Sequence, residues 1–226
     1  MKKRTLAVLA ALALGTAAAA WAADAKFHEV KPNEFDPAKT HLVNAAWIEG
    51  TGCPTNATTY NGTTTSTFTD PACPTGDSKD KKVDGLLLVK TGPTTNFAEA
   101  FAELKEAPAT VTELGYDIRK PGTDRSDPRG SHCGGGAPRF TIVFKDGTST
   151  FGPGCSTGLP VTQTPGTGWI RLRFPVSFTN VKSIFIEFDE GQDLSGGPDQ
   201  SGLAVIDNVD VNGTLVGTGP DDSNSG

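Results

Sequence analysis

Apolar side chains at every second position are the feature that most restricts how this chain can fold. In SIFIEF they are Ile184, Ile186 and Phe188, and in LAVIDNVDV they are Leu203, Val205, Val209 and Val211. Leu114, Tyr116 and Ile118 repeat the rhythm, as do Phe140, Ile142 and Phe144, and Ile170, Leu172 and Phe174. A period of two sends alternate side chains to opposite sides of an extended strand, so each run predicts a β-strand with one face on a core. HLVNAAWIE over 41–49 and VDGLLLVKT over 83–91 read as two more strands, and Thr64–Phe68 as a short one. Asp146-Gly147 joins the 139–145 run to 148–152 with a strong hairpin signal. One stretch is ambiguous: in NFAEAFAELKE, Phe97, Phe101 and Leu104 have helical spacing, while Ala98, Ala100, Ala102 and Leu104 alternate. Its place between two strands favours a strand there. The expected fold class is all-β: an antiparallel β-sandwich (jelly roll) with at most one short helix, with a closed barrel as the structural alternative.

The ends of the chain read differently. Lys2, Lys3 and Arg4 precede an apolar stretch, Leu6–Leu14, and small residues end it at Ala20-Trp21-Ala22. That is the pattern of a secretory signal peptide over 1–22, too short in its apolar part to span a membrane. Export to the periplasm, the cell surface or the medium of a bacterium follows. Residues 23–39 read as a polar N-terminal arm, 40–217 as a single β-sandwich domain, and 218–226 as a disordered tail. Within the domain, 50–82 is a polar surface excursion bracketed by Cys53 and Cys73. An exported chain favours disulfides for Cys53, Cys73, Cys133 and Cys155. Three pairings exist, and the local one, Cys53–Cys73 with Cys133–Cys155, needs the shortest closures. The net charge of −6 argues against nucleic acid, whose phosphates demand basic patches.

Two clusters carry candidate chemistry. Trp169, Arg171 and Arg173 alternate with the core-facing residues of GWIRLRF, and Tyr116, Asp117 and Arg119 lie on a neighbouring run. A ring that stacks on a sugar and a planar guanidinium that donates to hydroxyls make a ligand-binding group. The plainer reading is an amphipathic strand whose arginines meet carboxylates and whose Trp covers the edge of the core, the default for an antiparallel sheet. Asp207 interrupts the last apolar run on its inward register, where a bare carboxylate is costly.

The ending GLAVIDNVDVNG resembles the closing strand of galactose-binding-like jelly rolls, a fold shared by many carbohydrate-binding modules. LGYDIR, HCGGGAPRF, the Asp-Gly hairpin and GWIRLRF are similar to small secreted bacterial sandwich proteins of unassigned function. The likeness spans Val83 to Gly217. It implies carbohydrate or a cell-surface polymer as partner and a structural Ca2+ at Asp207, with Asp189, Glu190, Asp193 and Asp199 as further oxygen donors. The alternative is a solvated acidic loop with Asp207 capped by backbone N–H groups.

Enzymatic motifs are weak. Gly154-Cys155-Ser156-Thr157-Gly158 matches G-x-S-x-G, but Pro160 and Pro165 follow where a helix should begin, and all three histidines precede Ser156. The reading is therefore an exported, non-catalytic sandwich that binds carbohydrate. Its rivals are a structural or adhesive surface protein and, less favoured, an extracellular polysaccharide hydrolase or lyase.

Overall fold

A computed structural model describes residues 26–91, 99–120, 137–157, 159–163, 168–189 and 202–220. Among these the chain forms strands and no helix. They are β1 (Glu29–Phe35), β2 (Val43–Ile48), β3 (Ala57–Tyr60), β4 (Thr65–Phe68), β5 (Gly85–Lys90), β6 (Glu99–Lys105) and β7 (Thr110–Arg119). Then come β8 (Arg139–Phe144), β9 (Ser149–Gly154), β10 (Leu159–Gln163), β11 (Ile170–Thr179), β12 (Val181–Phe188), β13 (Gly202–Val211) and β14 (Thr214–Val216). One sheet has the order β1-β6-β12-β8-β9 and the other β10-β11-β7-β13-β5-β2, with β14 added to β13. β3 and β4 form a separate hairpin, and the pairings are antiparallel throughout. The expected all-β antiparallel sandwich is the architecture found.

The alternating residues account for the core. Ile184, Ile186 and Phe188 of β12 face Leu114, Tyr116 and Ile118 of β7 and Ile170, Leu172 and Phe174 of β11 in one buried cluster. Removing such side chains from water is worth about 1.5–3 kcal/mol each, which is what holds two sheets face to face. The ambiguous stretch is a strand: in β6 Ala100, Ala102 and Leu104 are buried and the residues between them are half-buried. The Asp146-Gly147 hairpin also forms, with Gly147 at φ 87°.

Two sequence readings differ from the structure. Residues 23–39 do not form only an arm, because β1 pairs along its whole length with β6. Its single fully buried apolar side chain, Val30, hides the strand period, and Pro32 is tolerated because β1 is at the sheet edge. In β13 the inward phase is Ala204 and Ile206, then Val209 and Val211. A register shift against β7 between Asp207 and Asp210, with Asn208 at φ 47°, resets the alternation. Leu203, Val205 and Asp207 therefore lie on the outer side of the seven-stranded sheet.

That outer side is where the excursion docks. Cys53 and Cys73 form a disulfide with a Cα–Cα distance of 6.2 Å. The two cysteines and Ala72 pack on Trp169 and Val205, with Leu87 and Leu203 at the margin, as a second small core. Cys155 is also disulfide-bonded, and Cys133 lies outside the described residues.

Candidate functional site

The residues that the sequence nominates for ligand binding do not share one open surface. Tyr116 points inward: its hydroxyl donates to the Pro138 carbonyl oxygen at 2.7 Å, and its ring meets Phe140 and Phe174. Burial holds its phenol far above the usual range. Trp169 is on the outer face but only 2% exposed, beneath the disulfide. Arg119 lies with its guanidinium carbon 5.2 Å from the Trp169 ring centroid.

Asp117, Arg171 and Arg173 form a closed network with the excursion. Asp117 is fully buried and takes both arms of Arg171, from Nε at 2.7 Å and from Nη2 at 2.9 Å. Arg171 Nη1 donates to Thr75 Oγ1 at 2.9 Å, and Nη2 also donates to the Thr75 carbonyl oxygen. Arg173 Nε meets Asp210 Oδ2 at 2.8 Å. Asn208 bridges the two layers: Nδ2 donates to Asp117, and Oδ1 accepts the Asp77 N–H, each at 2.9 Å. Close approach depends on Gly76, where a Cβ would meet Asn208 Oδ1 at 2.9 Å. The arginines thus meet carboxylates, and Trp169 sits in the second small core under the excursion.

Of the carboxylates considered for calcium, the two that are described, Asp207 and Asp189, lie on different sheets. Asp207 accepts the Cys53 N–H at 2.7 Å and the Asn208 N–H at 2.5 Å, which is the backbone-capped alternative. Burial raises its carboxyl well above the ordinary range. Asp189 lies on the other sheet, gripped by Arg139 at 2.5 and 2.7 Å. Glu190, Asp193 and Asp199 lie outside the described residues. Cys53 and Cys73 also approach Asp117, but their sulfurs are bonded to each other and offer no thiolate to a metal. Residues 155–157 of the G-x-S-x-G match form a turn after β9.

The outer face of the five-stranded sheet is different. The pairing registers place Lys31, Glu103, Phe185, Thr141 and Phe151 in one row across all five strands. The adjacent row is Asn33, Phe101, Glu187, Arg139 and Gly154, and Phe35 opposite Glu99 begins a third. Phe101 and Phe185 are half-buried, with ring centroids 6.2 Å apart in an edge-to-face contact. Phe151 is 72% exposed, and the Arg139 guanidinium carbon sits 4.8 Å from its ring centroid. A hollow of about 300 Å³ lies beside it, lined by Arg139, Phe151, Gly152, Gly154, Ser156, Thr157 and Asp189.

Charge on this face is uneven. Arg139 also reaches Glu187 Oε2 at 3.3 Å, so Glu187 and Asp189 share one cation. Glu99 makes no ion pair among the described residues. Burial first, and then the charges of Glu187 and Asp189, push its carboxyl up to about 7. Lys90 is 1% exposed; it continues the inward phase of Leu86 and Leu88, and its ammonium has no hydrogen-bond partner among the described residues. Thr141 Oγ1, between the Phe185 and Phe151 positions, is likewise buried with no partner among them. Sequence reading missed this face. Its signal was present in the odd-numbered residues of strands whose even-numbered residues form the core, but the rows appear only once β6, β12, β8 and β9 are laid side by side.

No known family's sequence profile matches this chain, and no curated protein matches it. Two solved structures are similar in three dimensions, both family 11 carbohydrate-binding modules of Clostridium thermocellum. One, from the cellulosomal cellulase Lic26A-Cel5E, is 13% identical and covers 86% of this chain and 91% of its own, with a TM-score of 0.33. The other, in complex with a β-1,3-1,4-mixed-linked tetrasaccharide, is 16% identical and covers 84% of this chain and 99% of its own, with a TM-score of 0.28.

Proposed function

We propose that this protein is an exported carbohydrate-binding β-sandwich whose binding surface is the outer face of the five-stranded sheet. The observation that carries the proposal is the interleaving of Phe101, Phe185 and Phe151 with Asn33, Glu103, Glu187 and Arg139 in two adjacent rows. Sugar rings present C–H faces that pack on aromatic rings and a rim of hydroxyls that need donors and acceptors. Rings flanked by carboxylates, an amide and a guanidinium meet both needs at once. Export is supported by the leader pattern of 1–22 and by the Cys53–Cys73 disulfide, which belongs to an oxidising compartment.

The test is affinity electrophoresis of the full chain through gels containing soluble polysaccharides, beside Phe101→Ala and Phe185→Ala variants. Retardation of the parent protein is expected in at least one gel, with most of it lost in both variants while their melting curves stay cooperative. Equal retardation of parent and variants would move the site elsewhere. Loss of binding in Trp169→Ala alone would return it to the seven-stranded sheet.

A further inference from the structure

The sign of the charge on this face decides which sugars it can take. We propose, on the premise that the five-stranded face binds carbohydrate, that its ligand is an uncharged oligosaccharide laid across the strands, and that acidic glycans are rejected.

A ligand anion would find the described cations near this face mostly engaged or buried. Arg139 is the cation of the central row, and its fork is already closed on Asp189 and Glu187 while its plane covers Phe151. Lys105 pairs with Glu103 next door on the same strand. Lys90 is near enough to Glu99 and Asp189 to be felt electrostatically, but its ammonium is buried and faces the core, out of reach of a ligand on the outer side. Lys31 remains, at the edge strand. Against these stands Glu99, half-buried, with no cation paired to it among the described residues and two more carboxylates beside it. A uronate or sulfate placed over Phe101 would lose its water, gain no unpaired cation beside it among the described residues and lie against like charge. A neutral sugar places hydroxyls there instead, and each carboxylate oxygen is a ready acceptor, with bonds to ionised groups being the stronger kind.

Shape supports an oligosaccharide rather than a single ring. Rings occur on β6, β12 and β9, three strand steps apart from first to last, or about 14 Å at the usual strand spacing. The row runs perpendicular to the strands, and so would the sugar chain.

The experiment compares one backbone with and without charge. Affinity electrophoresis and titration calorimetry would use hydroxyethylcellulose against carboxymethylcellulose, and methyl-esterified polygalacturonate against the free acid, at low and at physiological salt. The expected result is binding to an uncharged member of a pair, with its acidic counterpart weaker by about tenfold or more at low salt. Added salt should narrow that gap, because exposed charges are screened. Glu99→Gln should narrow it at low salt as well, by strengthening the acidic form relative to the uncharged one. An acidic form bound as tightly as its neutral counterpart, or more tightly, overturns the charge rule and leaves carbohydrate binding standing. No retardation by any polysaccharide, neutral or acidic, overturns both.

Discussion

Glu99→Gln tests the electrostatics of the five-stranded face through stability alone, with no ligand needed. The carboxyl titrates near 7 in the folded chain and near 4.5 when unfolded. The folded state therefore holds the proton more tightly, so the protein loses stability as pH rises from about 4.5 through about 7, and the loss is complete above that. At about 1.4 kcal/mol per pH unit the full difference would be roughly 3 kcal/mol. Glu99 is only half-buried, and solvent screening reduces that to about 1–2 kcal/mol. Gln keeps the shape of the protonated acid and cannot ionise. At pH 5 the variant and parent should melt within about a degree of each other, whereas at pH 8 the variant should melt about 3–6 °C higher. Asp80, Asp207 and Asp210 are also raised by burial, but they are common to both proteins and cancel in the difference. The assay is circular dichroism melting of both proteins at pH 5, 6, 7 and 8. A melting offset that stays constant across this range, or a variant less stable at pH 8, would show that Glu99 is solvated and that Glu187, Asp189, Arg139 and Lys90 do not set its charge.

Asp117→Ala should be far more damaging. It strands the Arg171 guanidinium and the Asn208 amide in a buried layer, at a cost of about 3–5 kcal/mol, or about 10 °C in Tm. A fall of less than about 2 °C would mean the network is wet. Limited proteolysis should show cutting within 74–83 in this variant first, since Arg171 ties Thr75 to the sheet. Chelation of divalent cations is expected to leave Tm unchanged, because Asp207 is capped by N–H groups and Asp189 is paired with Arg139. A drop of several degrees would instead support the calcium site expected from Asp207 and its acidic neighbours.

The sandwich was legible because burial on one side leaves a period of two, and Ile184, Ile186, Phe140, Ile142, Ile170 and Leu172 keep it. It was not legible in β1, where one buried valine carries no period, nor across Asp207–Asp210, where an extra residue shifts the phase. The outward character of Trp169, Arg171 and Arg173 was also readable. What covers them was not, since a polar segment of Thr, Gly and Asp has no pattern that names its docking surface. The cover is made by a few atoms, the Cys53 N–H on Asp207, the Asp77 N–H on Asn208 and Thr75 on Arg171, and these contacts join residues 96 to 154 positions apart.

The two outer faces therefore use similar residues to opposite ends. Both carry aromatic rings, arginine and surplus carboxylates. On the seven-stranded sheet a buried arginine–aspartate network is tolerable only if every donor and acceptor is satisfied, because an unpaired member costs more than the pair contributes. The excursion supplies those partners from backbone groups and the Thr75 hydroxyl, and its internal disulfide shapes it against Trp169 and Val205. On the five-stranded sheet the same accounting is left open. Phe151 stays wet, Glu99 forms no ion pair among the described residues, and two carboxylates share one arginine. On the reading proposed above, this surface of rings and acceptors would meet a ligand's C–H faces and hydroxyls.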